Sequence, residues 1–534
     1  MGSKVYFEGF FFGPDDYYWD LLSSSGLSIF YRRFPSLIEI IQAAVRLAMG
    51  IQIGAKVERV DGRKLSYADF VDRYLKNNLP VVLTDLMDGW QACTDWVTAD
   101  GRPNIRFFAD HFGKSMVQVA DCCKRVFTDQ KRVEMSVSEY TDYWLGISST
   151  KCNKVANSNG GTESLLYLKD WHFVKEYPDY IAYTTPSFFV DDWLNLYLDS
   201  HRLHRDSDIT QDKNETNCAD YRFIYIGVKG TWTPLHADVF RSYSWSANVC
   251  GKKLWLLLPP SLCHLIFDRY QKSSVYDVYA DISEKKFPGF KKAVWWECTQ
   301  EQNEIIFVPS GWYHQVHNLE DTVSINHNWF NGYNLYWVWN LLVKDYTEAK
   351  EYIEDIREIC DDFESICQRN LAANTGMNFY DFFVFISRFA LANLVLLRDL
   401  KNEESVVSHL RSTAYNALNN IRAIHLVASS MGSVEAFAEE NLNSCSEENR
   451  IAYSEVKRIM EDLDFHDLCA TLRITLTAVC EGRHDYNVEI RPEKIDFAIS
   501  SDFKIGNPSE LVKLIENAFP DQLNIFNACN IGFP

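Results

Sequence analysis

A basic excess, a cysteine framework, an uninterrupted membrane-length apolar run and a long low-complexity tract are all missing from this chain of 534 residues. Acidic residues outnumber basic ones, 73 against 53, for a net charge of −20. That balance excludes a general nucleic-acid binder, which needs a basic face, and it suits a basic protein partner. The 14 cysteines are scattered without a Cys-x-x-Cys pair, and only Cys122 and Cys123 are adjacent. Such spacing excludes a zinc module or a disulfide framework and points to a reducing compartment. The expectation is a cytoplasmic protein, with the nucleus also open to it. Asn214-Glu215-Thr216 is then a silent glycosylation sequon. The first 20 residues are acidic and aromatic, unlike a basic signal-peptide start. Residues 36–50 have helical apolar spacing interrupted by Glu39, Gln42 and Arg46, which predicts an amphipathic docking helix. Residues 382–397 are the most apolar run, yet Ser387 and Arg388 divide it and it falls short of ~20 clean residues. A buried helix is predicted there, and no membrane association.

Hydrophobic residues make up 47% of the chain and aromatics 14%, enough for large cores, and the length implies two domains or more. An extension over 1–54 is followed by a main domain over 55–345, whose barrel core is expected at about 181–345. Helices and strands in 55–180 are expected to buttress that barrel, with a helix at 136–145 and an exposed loop at 151–162 rich in Asn, Gly and Ser. Helical periods over 336–370, 378–400, 405–430 and 446–480 predict an all-helical region over 346–534.

What is present is concentrated in one constellation. His236-Ala237-Asp238 is followed by Lys253 and, 78 residues beyond His236, by His314 in Pro309-Ser310-Gly311-Trp312-Tyr313-His314. Two imidazoles and a carboxylate are the ligands of a facial triad that holds Fe(II) and leaves other positions open. On a strand, His236 and Asp238 leave the same face. The flanking segments read as short strands: 221–227, 251–258 before Pro259-Pro260, 304–309 and 321–329, with Gly230 and Pro234 as punctuation. Short strands separated by turns predict a jelly roll or small barrel.

Each of these residues also has a plainer reading. A lone His-x-Asp pair is more often structural than metal-binding. His317 rivals His314 as third ligand, but odd spacing puts it on the other strand face. His327 reads as a polar strand residue, and Lys252 points away from Lys253. Asp191 and Asp192 read as a local brace, and His172 as a packing or hydrogen-bonding residue. Trp232, Tyr243, Trp245, Trp312 and Tyr313 are candidates for walls that shield the centre.

The stretches 233–255 and 304–329 resemble the JmjC branch of the 2-oxoglutarate- and Fe(II)-dependent oxygenases. Leu168-Lys169-Asp170-Trp171-His172, Asp191-Asp192-Trp193-Leu194-Asn195 and Leu79-Pro80-Val81-Val82-Leu83 with Gly89-Trp90 are similar to JmjC hydroxylase sequences too. The resemblance covers about 56–345 and implies an α+β fold, a double-stranded β-helix (cupin-like jelly roll) with buttressing helices and a C-terminal helical domain. It implies iron ligation by His236, Asp238 and His314. It also implies that Lys253, 17 residues past His236, and Thr233, three before it, hold the far carboxylate of 2-oxoglutarate. Ser246, where a related hydroxylase has asparagine, and Asn326 or Ser324 are the further polar contacts. Fe(II), 2-oxoglutarate and O2 are thus the implied cofactor and cosubstrates, converted with loss of CO2 to succinate and a hydroxylated C–H bond.

The same resemblance implies a protein lysyl hydroxylase acting on a translation termination (release) factor. An N-methyl-lysine demethylase, on histones for instance, and a non-catalytic scaffold are the alternatives. In such hydroxylases a C-terminal helical domain often serves dimerisation or substrate docking, so a homodimer through these helices is an expectation; the plain alternative is that they only cover the barrel.

Overall fold

In a computed structural model the described residues are 50–152, 164–200, 220–280, 282–360, 362–402, 408–438, 463–479, 490–499 and 505–520. The helix expected at 36–50 lies outside them but for Gly50, as do the sequon at 214–216 and all but two residues of the loop expected at 151–162. Those two residues end the helix Val137–Cys152, the one expected at 136–145.

Among the described residues the short β-rich runs pair into two sheets. One has the spatial order β1 (Gln52–Lys56), β11 (Val294–Gln300), β10 (Lys253–Leu258), β13 (Tyr313–Asn318), β8 (Trp232–His236). The other runs β2 (Glu58–Asp61), β3 (Val81–Thr84), β12 (Glu304–Val308), β9 (Tyr243–Cys250), β14 (Thr322–Trp329), β7 (Arg222–Gly227), β6 (Leu166–Trp171), β4 (Met116–Val126), β5 (Asp129–Ser136). From β7 to β14 the chain crosses between the sheets at every connection except β10 to β11, which is the winding of a cupin-like jelly roll. Strands from the segment before residue 181 extend both sheets, and the first begins at Gln52.

Side-chain parity explains why these runs form this barrel. All six residues of β10 are buried, because both of its faces are covered. Leu256 and Leu258 pack outside with Leu235, Ile266 and Trp295, whereas Trp255 and Leu257 meet Val82, Ile306, Val308 and Val316 between the sheets. Gly251 makes the β9–β10 turn at φ +78, and a Cβ there would lie 2.0 Å from the Asp321 carbonyl oxygen. Only glycine fits that position.

The outer face of the larger sheet carries Trp245, Ala247, Ile305, Phe307, Ile325 and Trp329, which belong to one apolar cluster with the C-terminal helices. Barrel and helices therefore share a core. Those helices include Leu335–Tyr352, Phe363–Thr375, Phe379–Asn402, Ser408–Met431, Leu463–Ala478 and Pro508–Ala518. The first spans the boundary expected at 345, and a 3-10 turn at Glu354–Ile359 divides the run expected over 336–370. Among the described residues one helix is long and apolar enough to cross a membrane, and 89% of that stretch is buried inside the protein. Its Phe389 stacks on Trp193 at 4.5 Å between ring centroids. This is the buried helix expected from the sequence.

Candidate metal centre and cosubstrate chamber

β8 and β13 are antiparallel neighbours, and their register places His236 directly across from His314. The next pair is Thr233 with Val316, after a register shift. That irregularity lets Thr233 share a face with His236 although they are three residues apart, which a regular strand forbids. The two imidazole rings stand 4.3 Å apart between centroids. Asp238 lies just beyond β8, ahead of a turn in which Phe240 and Arg241 both have positive φ, 54° and 51°. Two consecutive non-glycine residues in that region are strained, and such strain collects at functional sites.

The donor atoms of His236, Asp238 and His314 lie within 4.8 Å of one another. Each imidazole has its Nδ1 against a carbonyl oxygen, that of Pro234 at 2.8 Å and that of Trp312 at 3.2 Å. A carbonyl only accepts, so both Nδ1 atoms carry hydrogen and both Nε2 lone pairs remain for a metal. His314 Nε2 is 3.9 Å from Asp238 Oδ1, while Asp238 Oδ2 accepts a 2.6 Å hydrogen bond from the Ser244 hydroxyl. Burial first, and His314 second, push the His236 imidazole down to about 4. It is neutral at physiological pH, the form that ligates.

Lys253 enters the chamber from β10 and is 2% exposed. Its Nζ donates to the Tyr167 hydroxyl at 3.2 Å, and among the described residues no carboxylate pairs with it. Burial pushes this ammonium down to about 7, with Lys169 lowering it further. Ser246 and Asn326 face each other across β9 and β14 on the inner face, and the buried Ser246 hydroxyl has no hydrogen-bond partner among the described residues. Among the described residues Asn326 Nδ2 reaches only Ser324 Oγ, at 3.4 Å. A buried cation without an anion and an orphaned hydroxyl are costly unless a ligand completes them. The donor set therefore fits a ferrous ion at one end and a dicarboxylate at the other.

The rival residues lie elsewhere. His317 stacks on Trp232 at 5.6 Å and 3° on the outer side of the strand pair, with Gln315 Nε2 2.8 Å from its Nε2. His327 meets the Tyr183 hydroxyl, and Lys252 pairs with Glu301 at 3.0 Å. Asp191 accepts from Trp193 and Asn331, Asp192 accepts from Asn195, and His172 bonds Asp220 at 2.6 Å.

The expected aromatic walls need correction. Tyr243 and Trp245 pack on the outer face with Phe307, Phe189 and Trp329, because β9 turns its even-numbered residues inward. Tyr313 packs outside against Phe267, whereas Trp312 does lie between the sheets, in the cluster with Trp255 and against Trp296. Other inward aromatics among the described residues include Trp255, 5.6 Å from the His314 ring, with Tyr167, Tyr225 and Phe223. Sequence reasoning also missed Ser244 and Tyr167. Ser244 was findable by parity with Ser246; Tyr167 comes from a remote strand with no local signal.

A jelly roll that gathers two histidines and an aspartate beside a buried, anion-ready lysine defines a non-haem iron oxygenase site. The sequence matches the family described as a cupin-like domain over residues 67–334. It is 51% identical over 480 residues to the protein named arginine-specific demethylase JMJ20 of Arabidopsis thaliana, covering 89% of this chain and 99% of that one. Identity is 36% over 400 residues to 2-oxoglutarate and iron-dependent oxygenase JMJD4 of Gallus gallus, covering 71% of this chain and 87% of the relative. The Homo sapiens JMJD4 is 36% identical over 359 residues, 66% of this chain and 80% of the relative. The chain belongs to the cupin-like JmjC family of 2-oxoglutarate- and iron-dependent oxygenases.

When bound, iron and 2-oxoglutarate supply the oxidising power that uses O2 on a C–H bond. The residues that would hold them are His236, Asp238 and His314 for the metal, with Ser244 orienting the Asp238 carboxylate, and Lys253 with Tyr167 for the dicarboxylate.

Proposed function

We propose that the protein hydroxylates a lysine side chain of a protein substrate, a translation termination factor by the likeness read in its sequence. The observation that supports this reading is the inward-facing Phe223–Tyr225 pair, stacked at 6.4 Å. Aromatic faces favour a long side chain with an apolar stem and a cationic head. The net charge of −20 supports a basic partner as well.

A second reading, demethylation of a methylated arginine, is favoured by the 51% identity to a protein named as an arginine-specific demethylase. It differs from the methyl-lysine alternative weighed from the sequence in the residue attacked. Both use the same chamber, since oxidation of an N-methyl carbon gives a product that releases formaldehyde. Mass spectrometry of substrate peptides after turnover separates them. A gain of one oxygen on lysine is the expected outcome; loss of a methyl from arginine with formaldehyde release would overturn it.

A further inference from the structure

Asp238 meets the two imidazoles from a turn that the barrel does not hold alone. Its own backbone is extended, at φ −59° and ψ 154°, but Phe240 and Arg241 behind it stand at φ 54° and 51°. A bulky residue rarely takes that region, because its Cβ crowds the following carbonyl oxygen. Two hydrogen bonds close the turn, from the Arg241 amide to the Asp238 carbonyl at 3.1 Å and from the Ser242 amide to the Val239 carbonyl at 2.9 Å. These are ordinary turn bonds, three residues apart, and they do not demand a left-handed backbone. What keeps the turn in that shape is the seat of the Phe240 side chain.

Phe240 is 1% exposed. Its ring meets Tyr221 edge-on at 5.5 Å and Phe330 at 6.0 Å. Tyr221 precedes β7 and Phe330 follows β14, while Phe330 in turn meets Phe385 of the helix Phe379–Asn402 at 5.3 Å. Gly376 closes the seat, ending the helix Phe363–Thr375 in the left-handed region at φ 88°. A Cβ on Gly376 would lie 3.3 Å from both Phe240 Cζ and the Tyr221 hydroxyl oxygen. On the other side of the turn, Arg241 donates to the hydroxyl of Tyr313, the residue before His314, at 3.2 Å. The barrel and the helical region therefore build the seat together. Helices that only covered the outer sheet face would have no need to reach the turn behind a metal ligand.

We infer that Phe240 is a positioning residue for Asp238, and that the helical region completes the metal centre by closing the Phe240 seat at Gly376. Without the ring, the turn relaxes out of the left-handed region and draws the carboxylate away from the imidazoles. The inference rests on the metal-centre reading. It is tested by the Fe(II) affinity of the full chain, measured anaerobically by competition with a chelator and expressed per folded molecule. Phe240→Ala should weaken Fe(II) binding by about tenfold or more. Phe240→Gly, which takes positive φ freely, should recover part of that loss, as a residue that merely filled the core would not. Gly376→Ala should weaken binding by a smaller factor. Leu472→Ala removes buried volume from the helix Leu463–Ala478, to which no seat residue belongs, and should leave the affinity unchanged. The inference is overturned if folded Phe240→Ala or Gly376→Ala holds Fe(II) as tightly as the wild type, if Phe240→Gly recovers nothing, or if Leu472→Ala loses as much as Phe240→Ala. Phe240→Leu goes through the same titration if the alanine variant does not fold. A wild type that binds no Fe(II) sinks the metal-centre reading itself, a different failure from wild-type binding that every variant keeps.

Discussion

The two faces of β9 differ in every respect that matters here. Its outward residues, Tyr243, Trp245, Ala247 and Val249, are buried in the apolar cluster that continues into the C-terminal helices. Its inward residues, Ser244, Ser246 and Asn248, line a chamber where Ser244 holds a metal ligand and the Ser246 hydroxyl has no partner among the described residues. The outward face is packed with large apolar groups and carries the stability, although the Trp245 indole nitrogen has no partner among the described residues. The inward face sets small polar groups around the metal ligands, where a ligand can use them. Substitutions on the two faces should therefore separate into losses of fold and losses of chemistry.

The largest effect should come from the inner side. His236→Ala is expected to abolish turnover while the unfolding midpoint stays near that of the wild type, since no large apolar volume is removed. On the outer face Trp245→Ala should destabilise by about 3–5 kcal/mol in chemical denaturation. Its folded fraction should bind 2-oxoglutarate normally; weakened binding without lost stability would merge the two faces. Lys253→Met should weaken 2-oxoglutarate by roughly tenfold to a hundredfold yet leave the unfolding midpoint equal or higher, because an unpaired buried cation has gone. Ser244→Ala frees the carboxylate of Asp238 and should reduce metal affinity by about tenfold, measured by competition with a chelator.

A graded effect is one of pH. Burial holds the Lys253 ammonium at about 7, below its ordinary value, so the empty chamber carries the charged form below that pH and the neutral amine above it. A dianion binds the charged form. Affinity for 2-oxoglutarate should be full below pH 7 and fall by up to about tenfold per unit above it, until the raised value of the bound ammonium is reached. A flat profile between about pH 6 and 9 would place the anion elsewhere.

Much of the chamber was legible in the sequence because parity on a strand is a strong constraint. Alternation put His317 and Lys252 on the faces opposite His314 and Lys253, the residues the family likeness pointed to, and the structure keeps each pair apart, while Asp238 reaches the site from just beyond β8. Alternation was not applied to Tyr243 and Trp245, and those two were misassigned to the walls for that reason. Thr233 shows the opposite limit. Its inward position depends on a strand irregularity that no residue announces. Tyr167 reaches the chamber from a strand paired over a long sequence separation, so local pattern carries no trace of its contact with Lys253. A single helix, Leu335–Tyr352, spans the boundary expected at 345 and so belongs to the barrel's end and to the helical region at once.

Anaerobic calorimetric titration with Fe(II) tests the convergence of the three donors most directly. One ion per chain should bind the wild type, and His314→Ala, equally stable to heat, should bind none with comparable affinity. Stoichiometric binding that survives in His314→Ala would contradict the site described here.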